Sequence, residues 1–155
     1  MPRPATGFPD LTPSESMMLA RYLAGWAAAD AEAIAAVVAG TYRLRDPLVG
    51  TFTRRTLSRY FERVRAAFAS VSPTRPSDCG FTLRGPMEAP GQDASASYWR
   101  EAAALGLSGV SRLVVTPHGV MADVVTYDLN PASDLLRRCS AVEETAGILD
   151  LAPAA

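Results

Sequence analysis

Tyr22 and Asp46 are the two residues of this chain whose types and placement suit proton transfer. Tyr22 lies in Arg21-Tyr22-Leu23-Ala24-Gly25-Trp26, and Asp46 lies in Arg45-Asp46-Pro47 after an extended Thr41-Tyr42-Arg43-Leu44. A carboxylate in an apolar mouth loses solvation, its pKa rises, and it can take a proton from carbon beside a carbonyl. The charge that then builds on the carbonyl oxygen needs a preorganised donor, which a buried phenol on a rigid helix supplies. Asp46 is therefore the candidate base and Tyr22 the candidate donor. Each has a plainer reading as well. Tyr22 could be a core tyrosine whose hydroxyl finds any partner, and Asp46 before Pro47 could end a strand by bonding neighbouring backbone N–H groups.

The elements that must position this pair are punctuated clearly. Thr12-Pro13-Ser14-Glu15 has the T-x-x-E form of a capping box with Pro at the first helical position, so a helix starts there and runs to about Ala29. Leu19, Tyr22, Leu23 and Trp26 recur at helical spacing along one apolar stripe, which points Tyr22 at the core. Asp30 is a candidate N-cap for a short second helix carrying Ile34, Val37 and Val38, with Gly40 as its stop before the Tyr42 strand. Thr53 caps a third helix whose seam is Leu57, Phe61, Val64 and Phe68. Arginines at 54, 55, 59, 63 and 65 fall mostly on its wet side.

Beyond Ser72-Pro73-Thr74-Arg75-Pro76-Ser77 no helix can continue, and the pattern turns to strand and turn until a closing helix begins at Asn130-Pro131. Strands are predicted near Cys79–Met87, Ala94–Ala102, Gly109–Thr116 and Val120–Asp128. Thr116-Pro117-His118-Gly119 joins the last two as a bulged three-residue hairpin loop with Gly119 at positive φ. Side chains alternate across a strand, so one parity turns Ser111, Leu113 and Val115 inward and the other Val110, Arg112 and Val114. A shift of register at the hairpin leaves open whether Asp123 and Tyr127, or Thr126 and Asp128, look inward. Trp26, Tyr42, Phe61 and Trp99 are candidate pocket walls, and Ser111, Arg112 and Leu113 are candidate substrate contacts.

Helices first and a meandering antiparallel sheet second predict an α+β domain, with the curved sheet wrapped around the N-terminal helices into a conical barrel with an internal pocket. The 155 residues, 48% of them hydrophobic, suffice for one core. The expected organisation is a flexible leader over 1–11, one domain over 12–147 and a flexible tail over 148–155. With a net charge of −1 and scattered arginines, nucleic acid is not an expected partner. No apolar run approaches the roughly 20 residues of a membrane span, and the N-terminus lacks the order of a secretory signal, so a soluble cytoplasmic protein is expected. Cys79 and Cys139 have no CxxC partner, and His118, the single histidine, falls in a predicted turn. Neither a metal nor another cofactor is expected.

The order of a Tyr-bearing helix, a second helix, a strand ending in Asp46-Pro47, a long helix and four strands resembles the nuclear transport factor 2-like superfamily over roughly residues 14–128. Within it the chain is most similar to ketosteroid isomerases and SnoaL-type polyketide cyclases, with limonene epoxide hydrolases and scytalone dehydratases as relatives. The resemblance puts Tyr22 where the isomerases keep an oxyanion-binding tyrosine and Asp46 where they keep the base. Their second acid falls near Ser111 or Arg112, neither of which is a carboxylic acid. Thr126 stands at the cyclases' catalytic Asp, and the hydrolases' Asp-Arg-Asp set has only Arg100, Asp123 and Asp128 to imitate it. The resemblance also implies a homodimer through the outer face of the sheet. Three readings follow: a proton-transfer enzyme on a small apolar carbonyl or polycyclic compound (isomerase, cyclase or dehydratase), a non-catalytic module binding a hydrophobic ligand, and an oligomerising interaction domain whose cone is plugged by Trp99 and Met121.

Overall fold

The computed structural model describes residues 11–71, 80–87, 94–102 and 107–128. The leader before residue 11, the closing helix expected from Asn130, the tail, Cys79, Cys139 and the side chain of Phe68 lie outside the described residues. Helix α1 spans Pro13–Ala27, and Thr12 caps it reciprocally. The Thr12 hydroxyl accepts from the Glu15 N–H, and the Glu15 carboxylate accepts from the Thr12 N–H, both at 3.1 Å. Its stripe buries Leu19, Tyr22 and Trp26 completely, while Leu23 is partly covered. Asp30 caps α2, Ala31–Ala35, by accepting from the Ala33 N–H.

That second helix is shorter than the sequence suggests. Val37 and Val38 leave it, and strand β1 runs Val38–Asp46 with Gly40 inside it rather than at a helix stop. Two adjacent β-branched residues lose rotamer freedom in a helix and fit a pleated surface better. Val38 pairs with Val120 in the sheet, which rewards that preference. A strand the sequence reading did not foresee, β2 at Gly50–Thr53, folds back on β1 through the Asp46-Pro47 turn. Thr53 then starts a short 3-10 turn, Arg54–Thr56, that runs into α3, Leu57–Val71.

The remaining strands are β3 (Thr82–Arg84), β4 (Ala96–Ala102), β5 (Leu107–Thr116) and β6 (Gly119–Tyr127). The sheet order is β2-β1-β6-β5-β4-β3. Neighbours are antiparallel except β1 and β6, which run parallel, so the sheet is a β1–β2 hairpin joined to a four-stranded meander. It is curved and unclosed, with α1 against β3, β5 and β6 and α3 against β2. The β5–β6 connection is a two-residue turn: Thr116 pairs with Gly119, and the irregularity falls one step earlier, between Val114 and Val115. Gly119 has φ 120°, and a Cβ there would come 2.7 Å from the Val37 carbonyl oxygen, so both backbone and space demand glycine. Among the described residues no helix is long and apolar enough to cross a membrane.

Candidate active site

Strand alternation settles which side chains face the helices. On β5, Ser111 and Leu113 are fully buried and Arg112 is exposed. On β6, Asp123 and Val125 turn inward while Val124 and Thr126 turn out, and Tyr127 reaches in with its hydroxyl. On β4 the inward residues are Ala96, Tyr98, Arg100 and Ala102. Trp99 therefore stands on the outer face, 43% exposed, and is not a pocket wall. Arg112 is likewise excluded from the interior by parity. Met121 is 38% exposed, so neither it nor Trp99 plugs the cone. Asp128 is exposed at the strand end, bonded to Ser108.

The concave side holds a polar network inside an aromatic cage. Asp46 ends β1 with its carboxylate turned inward and only 3% exposed. Its Oδ1 accepts the Leu48 and Val49 N–H groups at 2.9 and 3.2 Å, which forms the turn into β2. Its Oδ2 accepts the hydroxyls of Tyr60 at 2.8 Å and Tyr127 at 2.7 Å. Asp46 thus makes the turn contacts of the plainer reading and also joins the buried site. All four groups donate to it, which fills the acceptor positions of a carboxylate.

Tyr22 meets a different carboxyl. Its hydroxyl donates to Asp123 Oδ2 at 2.7 Å and lies 2.6 Å from the Tyr42 hydroxyl. Because Tyr22 has one proton and gives it to Asp123, Tyr42 must be the donor in the second contact. A donor chain Tyr42 to Tyr22 to Asp123 results. Phe61, Trp26 and Leu113 are core rather than open wall, with the Phe61 and Trp26 ring centres 5.2 Å apart and the rings tilted by 43°.

Arg100 connects the two halves. Its guanidinium lies 4.2 Å from the Trp26 ring centre and 4.1 Å from that of Phe81. Nη2 donates to the Tyr60 hydroxyl at 2.8 Å, which in turn donates to Asp46, and Nη1 donates to Ser111 Oγ at 3.4 Å. Burial works against the charge of Arg100, but Tyr60, Tyr127, Asp123 and Asp46 outweigh it and hold its pKa above the usual arginine value. Burial raises the phenol pKa values of Tyr22, Tyr42 and Tyr60 well above 10, so these hydroxyls keep their protons and remain donors. Burial likewise raises Asp123 above the ordinary carboxyl value, against the opposing effects of Arg100, Tyr22 and Ser111. Asp123 Oδ1, Arg100 Nε and Trp26 Nε1 are buried with no hydrogen-bond partner among the described residues.

The arrangement therefore offers two carboxyls in unlike surroundings, phenol donors beside each, and one fixed cation between them. Sequence reasoning missed Tyr60, although Leu57, Tyr60, Phe61 and Val64 share one helical stripe. It named Arg100 but had no basis to turn it inward, because the adjacent Trp99 is the more apolar residue. Among the described residues no cluster of His, Cys, Asp or Glu could hold a metal ion.

The curved, unclosed sheet with helices against it is the cone-like α+β fold that the resemblance to nuclear transport factor 2-like proteins implies, and solved structures share this fold. An uncharacterised bacterial protein with a cystatin-like fold from Silicibacter pomeroyi DSS-3 superimposes with a TM-score of 0.55 at 20% identity, covering 86% of this chain and 90% of its own. A steroid delta-isomerase from Pseudomonas aeruginosa superimposes with a TM-score of 0.54 at 11% identity, covering 90% of this chain and 98% of its own. At these identities the likeness is one of fold. No protein-family model matches the chain, and no curated protein matches it significantly.

Proposed function

We propose that the protein catalyses proton transfer on a small, largely apolar carbonyl compound, in the manner of an isomerase. The observation that supports this reading is the contrast between its two buried carboxyls. Asp123 is desolvated beside Tyr22 and pushed toward its neutral acid, whereas Asp46 receives four donors. A neutral carboxylic acid can donate to a substrate oxygen, and a second carboxylate ringed by donors can accept a proton, so two carboxyls in such unlike surroundings suit acid and base roles. Asp123 then supplies the second acid that Ser111 cannot, from the neighbouring strand.

In this assignment Tyr22 and the Asp123 acid both donate to the substrate carbonyl oxygen. Asp46 takes the carbon-bound proton on Oδ2, where the substrate displaces Tyr127, and returns it to another carbon. Arg100 balances the negative charge of the enolate. The test is deuterium exchange from D2O into a panel of cyclic and unsaturated ketones, followed by NMR. Asp46→Asn should lower exchange by about a hundredfold or more, the usual worth of a general base. Asp123→Asn keeps a donor and should stay within about tenfold of the native rate, whereas Asp123→Leu should fall much further. Exchange that ignores Asp46→Asn refutes the assignment. Saturable ketone binding with no exchange by the native chain would favour the non-catalytic binding module.

The place of Arg100 between two carboxyls also favours a second reading, hydrolytic opening of an epoxide. Asp123 would protonate the epoxide oxygen while Asp46 takes a proton from the attacking water, and incorporation of 18O from labelled water into a diol separates this from isomerisation.

A further inference from the structure

On the side of β1 away from the buried network, the chain builds a concave cluster of positive charge. The alternation that turns Tyr42, Leu44 and Asp46 inward turns Arg43 outward. Arg43 lies opposite Thr53 of β2 in the sheet register, and Thr53 is the residue from which Arg54 and Arg55 leave the strand. These three arginines, with Gly40 and Thr53, line an open cleft of about 590 Å³. All three are exposed, and among the described residues no acidic one lines the cleft. Among the described residues none of the three guanidiniums is ion-paired or hydrogen-bonded.

This concentration is local, since the whole chain has a net charge of −1. Three like charges around one concavity repel one another, and among the described residues no ion pair offsets that repulsion. Glycine inside a strand weakens it, yet a Cβ at Gly40 would meet nothing within 4 Å, so packing does not require glycine there. The volume lies in the range of small-molecule sites, roughly 300–1,000 Å³. Guanidinium forks match the paired oxygens of phosphate and carboxylate groups.

We propose that this cleft binds a small organic polyanion whose phosphate or carboxylate groups are held by Arg43, Arg54 and Arg55. Because the β1 backbone separates the cleft from the buried network, this site stands independently of the proton-transfer reading. The test is calorimetric titration of the full chain at low ionic strength with pyrophosphate and, separately, with citrate. Saturable one-to-one binding of either supports the proposal, and the tighter of the two identifies the anion's chemistry. Arg43→Gln, Arg54→Gln and Arg55→Gln should each weaken binding by about tenfold, as loss of a charge-assisted bidentate contact does. Arg112→Gln, exposed on β5 outside the cleft, should leave it unchanged. Circular dichroism of these surface variants checks that each is folded. No saturable heat with either anion, or an equal loss in Arg112→Gln, overturns the proposal.

Discussion

Replacing Tyr60 by Phe tests whether the buried arginine and the Asp46 carboxylate are held by one shared hydroxyl. The substitution leaves the ring in its edge-on contacts with Trp26 and Phe52, both at 5.2 Å, and removes a single oxygen. That oxygen accepts from Arg100 Nη2 and donates to Asp46 Oδ2, each at 2.8 Å. Hydrogen bonds to charged groups contribute about 1.5–3 kcal/mol each, and a buried partner left unmet costs more than an exposed one. Arg100 would keep only the long 3.4 Å contact to Ser111 besides its ring faces, and Asp46 Oδ2 would keep Tyr127. The expected loss is about 3 kcal/mol at neutral pH, which for a domain of this size lowers Tm by roughly 10 °C. Urea unfolding with an unchanged m value is the assay. A double-mutant cycle with Asp46→Asn should return a coupling of about 1–3 kcal/mol. A loss below about 1 kcal/mol, or a loss undiminished in the Asp46→Asn background, refutes the idea that this hydroxyl carries the network.

Burial raises the Asp123 pKa above its unfolded value of about 3.9, so between the two values the folded chain binds more protons than the unfolded one. Stability attributable to this group is therefore greatest below about pH 4 and falls as pH rises toward the folded pKa. The unfolding free energy of the native chain minus that of Asp123→Asn should decline over that window in urea melts, and a flat or rising difference contradicts the assignment. Thr12→Ala removes the side-chain acceptor of the α1 N-terminus and should cost about 1 kcal/mol, measured by the same melts, with no effect on ketone exchange.

Local chemistry along the chain determined α1, the caps of α1 and α2 and the glycine of the last turn, but not the end of α2 or the start of β1. The Thr12 capping box, the Asp30 cap, the α1 stripe and the positive φ of Gly119 are all properties of a few neighbouring residues, and they hold in the structure. The same is true of Asp46 and Tyr22 as inward residues, because helical periodicity and the run of Tyr42, Leu44 and Asp46 each define a face. Pairing across the sheet was beyond the sequence, since one residue of slip inverts every side chain. Register alone put Ser111, Asp123 and Tyr127 inside, left Trp99 and Arg112 outside, and placed β6 parallel to β1. Only the folded chain could join Tyr22 to Asp123 instead of Asp46, since those residues come from α1 and β6 and meet by packing, with no local signal linking them. The buried arginine follows the same logic: Arg100 is stable inside because Trp26, Phe81, Tyr60 and Ser111, scattered along the sequence, converge on it.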